Sequence, residues 1–314
     1  MNASTSMRSA ARRGLEHELK SRASDATFGM KFAIYVACLG YGVAACLADA
    51  LWLRLAGIAV VGVMFAHGVE LQHQVLHGQG FRNRTINEFV GVLLGLPMLV
   101  SFAGYQASHL RHHRFLGTPQ NREFFDYGDQ YGASRIGSLL IWAKRFLMPA
   151  HYASFLKQSA RALFGCAVPG ESEDVGRRIR RDHLAMLAGI AAIAGASAML
   201  GTPLIALAWI APLVLVASPL HALIEMPEHY RCDVTSTDGL HNTRTIKSNA
   251  FMTWLTNGNN FHVEHHLMPG LPIDRLHDLH AVIANDIQHF YPSYRAFYAD
   301  VLRNRVAPRA AKGV

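Results

Sequence analysis

Two stretches of this chain, His109-Leu-Arg-His112-His113 and His262-Val-Glu-His265-His266, repeat one spacing of histidines. In a helix, positions i, i+3 and i+4 share a face, so each stretch aims three imidazoles in one direction. A third stretch, His73-Gln-Val-Leu-His77, sets two more at i and i+4. Long apolar runs separate the clusters, and the fold must bring them back together. An iron or zinc ion takes about four to six ligands, so eight converging imidazoles suit two metals better than one. Imidazole binds Zn, Fe, Cu and Ni, so ligand type leaves the metal open.

The apolar runs set the architecture. Hydrophobic residues make up 51% and charged residues only 17% of the chain, yet mean hydropathy is just +0.13. That combination fits apolar spans alternating with polar segments. Residues from about 31–53 and 55–72 are each close to the ~20 residues that cross a bilayer, with Asp49 and Arg54 marking the turn between them. Residues 183–200 and 203–224 make a second pair, and their short Gly201-Thr202 connection makes them antiparallel. The run 89–107 also has the length of a span. A full crossing there would leave His109 on the opposite side from His77. Gly95 and Pro97 lie near its middle, where a turn is easiest. It therefore reads as a re-entrant hairpin, or a helix pair returning to its starting side, covered by protein.

The expected fold is all-α and integral to the membrane. Four transmembrane helices form two hairpins, joined by the re-entrant or interfacial segment. A cytosolic helical cap, residues 109–182 and 225–314, carries the histidine clusters. Residues 1–29 hold Arg8, Arg12, Arg13, Lys20 and Arg22 and read as a cytoplasmic tail, because the apolar run starts too late for a secretory signal. Residues 30–314 form the membrane domain. The cluster Arg177-Arg-Ile-Arg-Arg181 precedes the third span, and the net charge is +8. A basic excess beside a span marks the cytoplasmic face, which places both termini and all three clusters there. No nucleic-acid-binding motif accompanies the charge. Four cysteines without a CxxC give neither a disulfide framework nor a redox pair.

Several other residues invite a role. Glu70, Asn260 and Glu264 could orient ligand imidazoles by accepting their N–H groups, since metal-bound histidines usually have such partners. His67 lies off the His73/His77 face and reads as a packing or supporting residue. His277 and His280, among Asp274, Arg275 and Asp278, read as a solvated face. His221 stands isolated. Arg244 reads as a surface ion pair, or as a partner for an acidic group near the site or for an electron donor.

His-Gln-Val-Leu-His, His-Leu-Arg-His-His and His-Val-Glu-His-His resemble the three histidine boxes of the membrane fatty acid desaturase superfamily. Their order, separation and intervening apolar hairpins match from about His67 to Pro272. The resemblance implies a di-iron centre that uses O2 at the cytoplasmic face, and a four-span, mushroom-like architecture with a cytosolic cap; zinc could replace iron in overexpressed samples. It also implies a ninth ligand after the last span, and His229 is the positional match. Pro227 is expected to break the helix just before it. The nine ligands would be His73, His77, His109, His112, His113, His229, His262, His265 and His266, with no catalytic residue separate from them. They would divide five and four, with Glu225 or a water near the poorer site. The implied reaction removes hydrogen from an unactivated C–H of an acyl lipid in the membrane, giving an alkene in a desaturase. The same metal cage serves a hydroxylase or monooxygenase on a lipid or hydrocarbon. A non-enzymatic metal-binding membrane protein is the third reading, disfavoured because a transporter would hold its ligands at mid-span. The sequence shows no fused haem or iron–sulfur motif, so electrons are expected from a separate protein of ferredoxin or cytochrome b5 type. The expected location is a bacterial inner membrane.

Overall fold

The computed structural model describes residues 24–125 and 139–303. Most of the basic N-terminal tail, and Asp126 and Asp129 of the loop after the second box, lie outside the described residues. Among the described residues, four helices are long and apolar enough to cross a membrane. They are α1 (Asp25–Cys46), α2 (Leu51–Leu76), α7 (Glu173–Met199) and a final span over Ala206–His229.

Each span begins or ends where local chemistry dictates rather than where the apolar run does. α1 starts at Asp25, ahead of the apolar run, because Ser24 accepts from the Ala26 N–H and Asp25 complements the helix dipole. α2 runs on to Leu76, so the first box is helical, and Gly78 at φ 72° ends it. Helix α7 starts well before residue 183. Ser172 caps it, Glu173 and Asp174 fill its first turn, and Arg177–Arg181 thus lie on the helix itself. The first and second spans pair closely, and Gly62 lets α2 meet the last span backbone to backbone. A Cβ at Gly62 would come within 2.4 Å of Val216 Cβ and 2.8 Å of the Pro212 carbonyl.

The segment between the hairpins is a bent helix pair. Helix α3 (Arg84–Gly95) continues as a short turn over Leu96–Met98, then meets α4 (Phe102–Phe115) at 96°. Leu99 takes a left-handed conformation (φ 60°), and Val100 N–H donates to Gly95 O at 2.8 Å, closing the turn. The free N-terminus of α4 is buried. Asp182 on α7 resolves it by accepting from Ala103 N–H at 2.7 Å and from the Ser101 hydroxyl at 3.0 Å. Because His109 on α4 meets His73 on α2, the pair must return to its starting side.

The last span contains two π turns, Ala206–Ile210 and Leu213–Ala217, before α8 (Ser218–His229). Pro227 does not break α8, contrary to the sequence expectation; it sits inside the last turn. Proline cannot donate to the carbonyl four residues back, here that of Leu223. The Tyr298 hydroxyl donates to that carbonyl instead. Arg244 Nη1 donates to the carbonyls of Pro227 (2.6 Å) and Tyr230 (2.8 Å). Arg244 is 1% exposed and packs over Phe297 and Tyr291, so it is a buried cap on α8 rather than a surface ion pair.

The remaining elements form the cap. Helices α5 (Leu139–Leu147) and α6 (Pro149–Leu163) expose leucines such as Leu140, Leu156 and Leu163, as helices lying at an interface do. After α8 come α9 (Gly239–Asn242), β1 (Thr245–Ile246), α10 (Ala250–Leu255), α11 (His262–Leu267), α12 (Leu276–Ile283), β2 (Phe290–Tyr291) and α13 (Tyr294–Leu302). β1 and β2 pair in parallel, Thr245 with Phe290 and Ile246 with Tyr291. Apolar side chains of α11 and α12, including Val263, Leu276, Leu279 and Ile283, form a core of their own under the third box.

The re-entrant path can be tested directly. In a cysteine-free background, single cysteines replacing Arg82 and Gln120 should label from the same side of the membrane, and one replacing Leu200 from the other. Labelling of the first two from opposite sides would break the common site.

Candidate metal centre

Three helices deliver the boxes. His73 and His77 leave the end of α2, the second box lies on the last turns of α4, and the third is α11. His229, the last residue of α8, joins them. The nine imidazoles sort into two sets. His73, His77, His109, His113 and His265 converge on one point. His112, His229 and His266 converge on a second, and Glu228, His229 and His262 overlap it.

The helical spacing keeps the i and i+4 members of each box together and sends the i+3 member the other way. In α4, His109 and His113 at i and i+4 reach the first set, while His112, on the other flank, reaches the second. In α11 the roles reverse. His262 and His266 belong to the second set and His265 to the first. Each of these boxes straddles both points, and their i+3 members cross over.

The distances inside the sets are short. In the first set, Nε2 of His73 lies 2.8 Å from that of His109, and His113 Nε2 lies 2.9 Å from those of His109 and His265. In the second, Nε2 of His266 lies 3.2 Å from that of His112 and 3.1 Å from that of His262, with His262 to His229 at 3.3 Å. Donors around an ion held at ~2.1 Å are separated by about 3.0–3.4 Å in octahedral or tetrahedral arrangements. The observed spacings, 2.8–3.3 Å, overlap that range.

Proton positions reinforce the fit. His229 Nδ1–H donates to the backbone carbonyl of Asn242 at 2.9 Å, so its Nε2 carries only a lone pair. His262 Nδ1 meets Asn259 Oδ1 at 3.1 Å and His112 Nδ1 meets Asn121 Oδ1 at 2.7 Å. The buried Nε2 of His77 has no hydrogen-bond partner among the described residues. Inward-facing lone pairs repel, and a cation between them removes the repulsion. The residues present therefore fit two metal ions. Burial, and then the neighbouring imidazoles, hold His262, His265 and His266 well below the ordinary histidine pKa. They are neutral at pH 7, the form that binds metals.

The supporting residues differ from those the sequence suggested. Asn259, not its neighbour Asn260, contacts an imidazole of the third box. Asn260 Nδ2 donates to the carbonyls of Ile246 and Lys247 and fixes the loop before the box. Glu264, 0% exposed, accepts from Thr245 and contacts His280, tying α11 to β1 and α12. His280 is thus half-buried against the box helix rather than on a solvated face. Glu70 is buried on α2, and its backbone carbonyl accepts from Asn257. Glu225 lies 3.5 Å from His221 Nε2, while Glu228 Oε2 reaches to 3.4 Å from His262 Nε2. His221 is buried beside Phe125 rather than isolated. His67 Nδ1 donates to Leu255 O and its ring stacks on Trp254. Glu123, Asn121 and Asn242 escaped sequence reasoning. Glu123 Oε1 lies 2.9 Å from His112 Nε2. Only the known need of metal-bound histidines for acceptors could have pointed to such residues, and their positions come from loops far apart in sequence.

A model of the fatty acid desaturase family matches residues 50–298. The chain belongs to the fatty acid desaturase family. It is similar to dihydrorhizobitoxine desaturase of Bradyrhizobium elkanii, 28% identical over 271 residues, covering 81% of this chain and 75% of that protein. It is also similar to acyl-lipid (9-3)-desaturase of Physcomitrium patens, 23% identical over 306 residues, covering 89% of this chain but 56% of that protein. The chain thus spans about half the length of the second relative. Family and relatives make it a desaturase-like oxidoreductase of the membrane, as the three boxes imply.

The depressed histidines carry a pH dependence. In the unfolded chain these imidazoles bind protons below about pH 6.5, while in the fold they resist protonation until lower pH. The unfolded state then binds more protons, so stability is present above that value and is lost as pH falls below it. For metal-depleted protein in detergent, the unfolding midpoint should drop steadily from about pH 7 to about pH 5. A flat profile would contradict the buried neutral cluster.

Proposed function

We propose that the chain is an O2-dependent di-iron desaturase that introduces a double bond into an acyl chain. The observation that carries this reading is the pair of inward-facing imidazole sets, five and four, at the ends of membrane helices. His73, His77, His109, His113 and His265 would hold one iron, and His112, His229, His262 and His266 the other. Bound iron would supply the O2 activation needed to remove hydrogen from an unactivated C–H. Asn121, Asn242 and Asn259 hold their imidazoles in the Nδ1–H tautomer, which keeps the Nε2 lone pairs turned inward. The burial of the ligand rings excludes water, and the rigid ends of α2, α4, α8 and α11 fix where a methylene must lie.

Desaturation is what the names of the two relatives share, although one name specifies an acyl lipid and the other dihydrorhizobitoxine. An apolar groove of about 390 Å³ beside α2, lined in part by Phe32, Tyr35, Phe65 and Trp209, offers a hydrocarbon chain a surface within the membrane. That supports an acyl substrate. The basic turns of α7 lie on the side of the site, where Arg178 donates to Gln106 of α4 at 3.0 Å. This supports a cytoplasmic active face, in a bacterial inner membrane in this reading. The four cysteines, at positions 38, 46, 166 and 232, are free and dispersed. Electrons would come from a separate ferredoxin- or cytochrome b5-type protein.

Expression in a host lacking desaturases, followed by mass spectrometry of its lipids, tests the reaction. Loss of two hydrogens from an acyl product is expected, and gain of one oxygen would instead make the protein a hydroxylase. Purified protein should carry about two irons. His112→Ala and His229→Ala should each lose at least half of that iron and nearly all turnover, while the exposed His277→Ala keeps both. Normal iron and turnover in His229→Ala would remove it from the ligand set.

A further inference from the structure

The two metal points are not alike, and the difference lies in a carboxylate. Glu228 stands one residue before His229, in the last turn of α8. Asn259 Nδ2 donates to Glu228 Oε1 at 2.9 Å. Asn259 is thereby oriented, with its Oδ1 left to accept from His262 Nδ1–H at 3.1 Å. His262 Nε2 then carries a bare lone pair. That lone pair faces Glu228 Oε2 at 3.4 Å, His229 Nε2 at 3.3 Å and His266 Nε2 at 3.1 Å. His229 Nε2 is also a lone pair, because its Nδ1 proton is on the Asn242 carbonyl. Acceptors thus face one another around one point. A proton on Glu228 would satisfy one of these pairs, whereas a cation satisfies all of them.

We infer that Glu228 is a carboxylate ligand of the four-imidazole metal, so that the two ions have unlike donor sets. One would be held by five imidazoles, the other by four imidazoles and a carboxylate. Helical phase and the capping of α8 make this reach feasible. Had Pro227 ended the helix, Glu228 and His229 would not share its rigid last turn. Glu225, one turn earlier, lies instead beside His221. Glu123 adds a second carboxylate on the same side, at 2.9 Å from His112 Nε2. Extra negative charge at one position favours a harder, more oxidised ion there than at the all-imidazole position. The inference rests on the di-iron reading above.

Mössbauer spectroscopy of protein produced with enriched iron tests it without any substrate. Wild-type protein should show two iron environments in equal proportion. Glu228→Gln keeps an acceptor for Asn259 and removes the negative oxygen. It should leave one environment unchanged and shift or empty the other, with iron falling by up to half. Two unchanged environments at full iron content in Glu228→Gln would overturn the assignment. A single environment in wild-type protein would overturn it as well, whether or not the variant folds. Wild-type protein that takes up no iron at all would sink the di-iron reading itself, and this inference with it.

Discussion

Nine imidazoles face one another in one buried site. Their lone pairs repel, and burial strengthens the repulsion because the local dielectric is low. The fold holds them in place by other means. Each imidazole comes from a rigid helix end, and several have their outer nitrogen tied to a carbonyl oxygen, as His229 does to Asn242 and His262 to Asn259. A cation turns the repulsion into attraction. The rest of the architecture can be read as what is needed to bring four helix ends to that point.

Each of those ends poses its own problem. α4 begins in a buried turn, and Asp182 from α7 supplies the missing acceptor for the Ala103 N–H in its first turn. α8 carries a proline in its last turn, and Tyr298 and Arg244 complete the hydrogen bonding around it. α11 has only six residues, too short to be stable by itself. Glu264 links it to Thr245 and His280, and the Val263–Leu276–Leu279 core supports it from below. The cap after α8 is therefore a scaffold for the third box and for His229, not a separate module.

Much of the fold was legible because membrane spans and histidine spacing are local signals. The requirement that His77 and His109 share a side was enough to turn the 89–107 run into a returning pair. The span ends were misjudged wherever a cap such as Ser24 or Ser172 extended a helix past its apolar run. Pro227 was misread because its compensating donors, Tyr298 and Arg244, lie far along the chain. The polar supports were displaced for the same reason. Asn259 and Asn260 are neighbours in sequence, and the backbone turn before α11 decides which of them faces His262.

By itself, the sequence determined that three groups of imidazoles must meet at the ends of apolar helices, because i, i+3 and i+4 share a helix face and an apolar run must cross or return. Tertiary structure alone decided how the imidazoles divide. In α4 the i, i+4 pair joins the five-membered set, and in α11 it joins the four-membered one. Nothing in the repeated spacing distinguishes the two boxes. The direction from which each helix approaches does, since rotating a helix about its axis changes which flank of its histidine face meets each point.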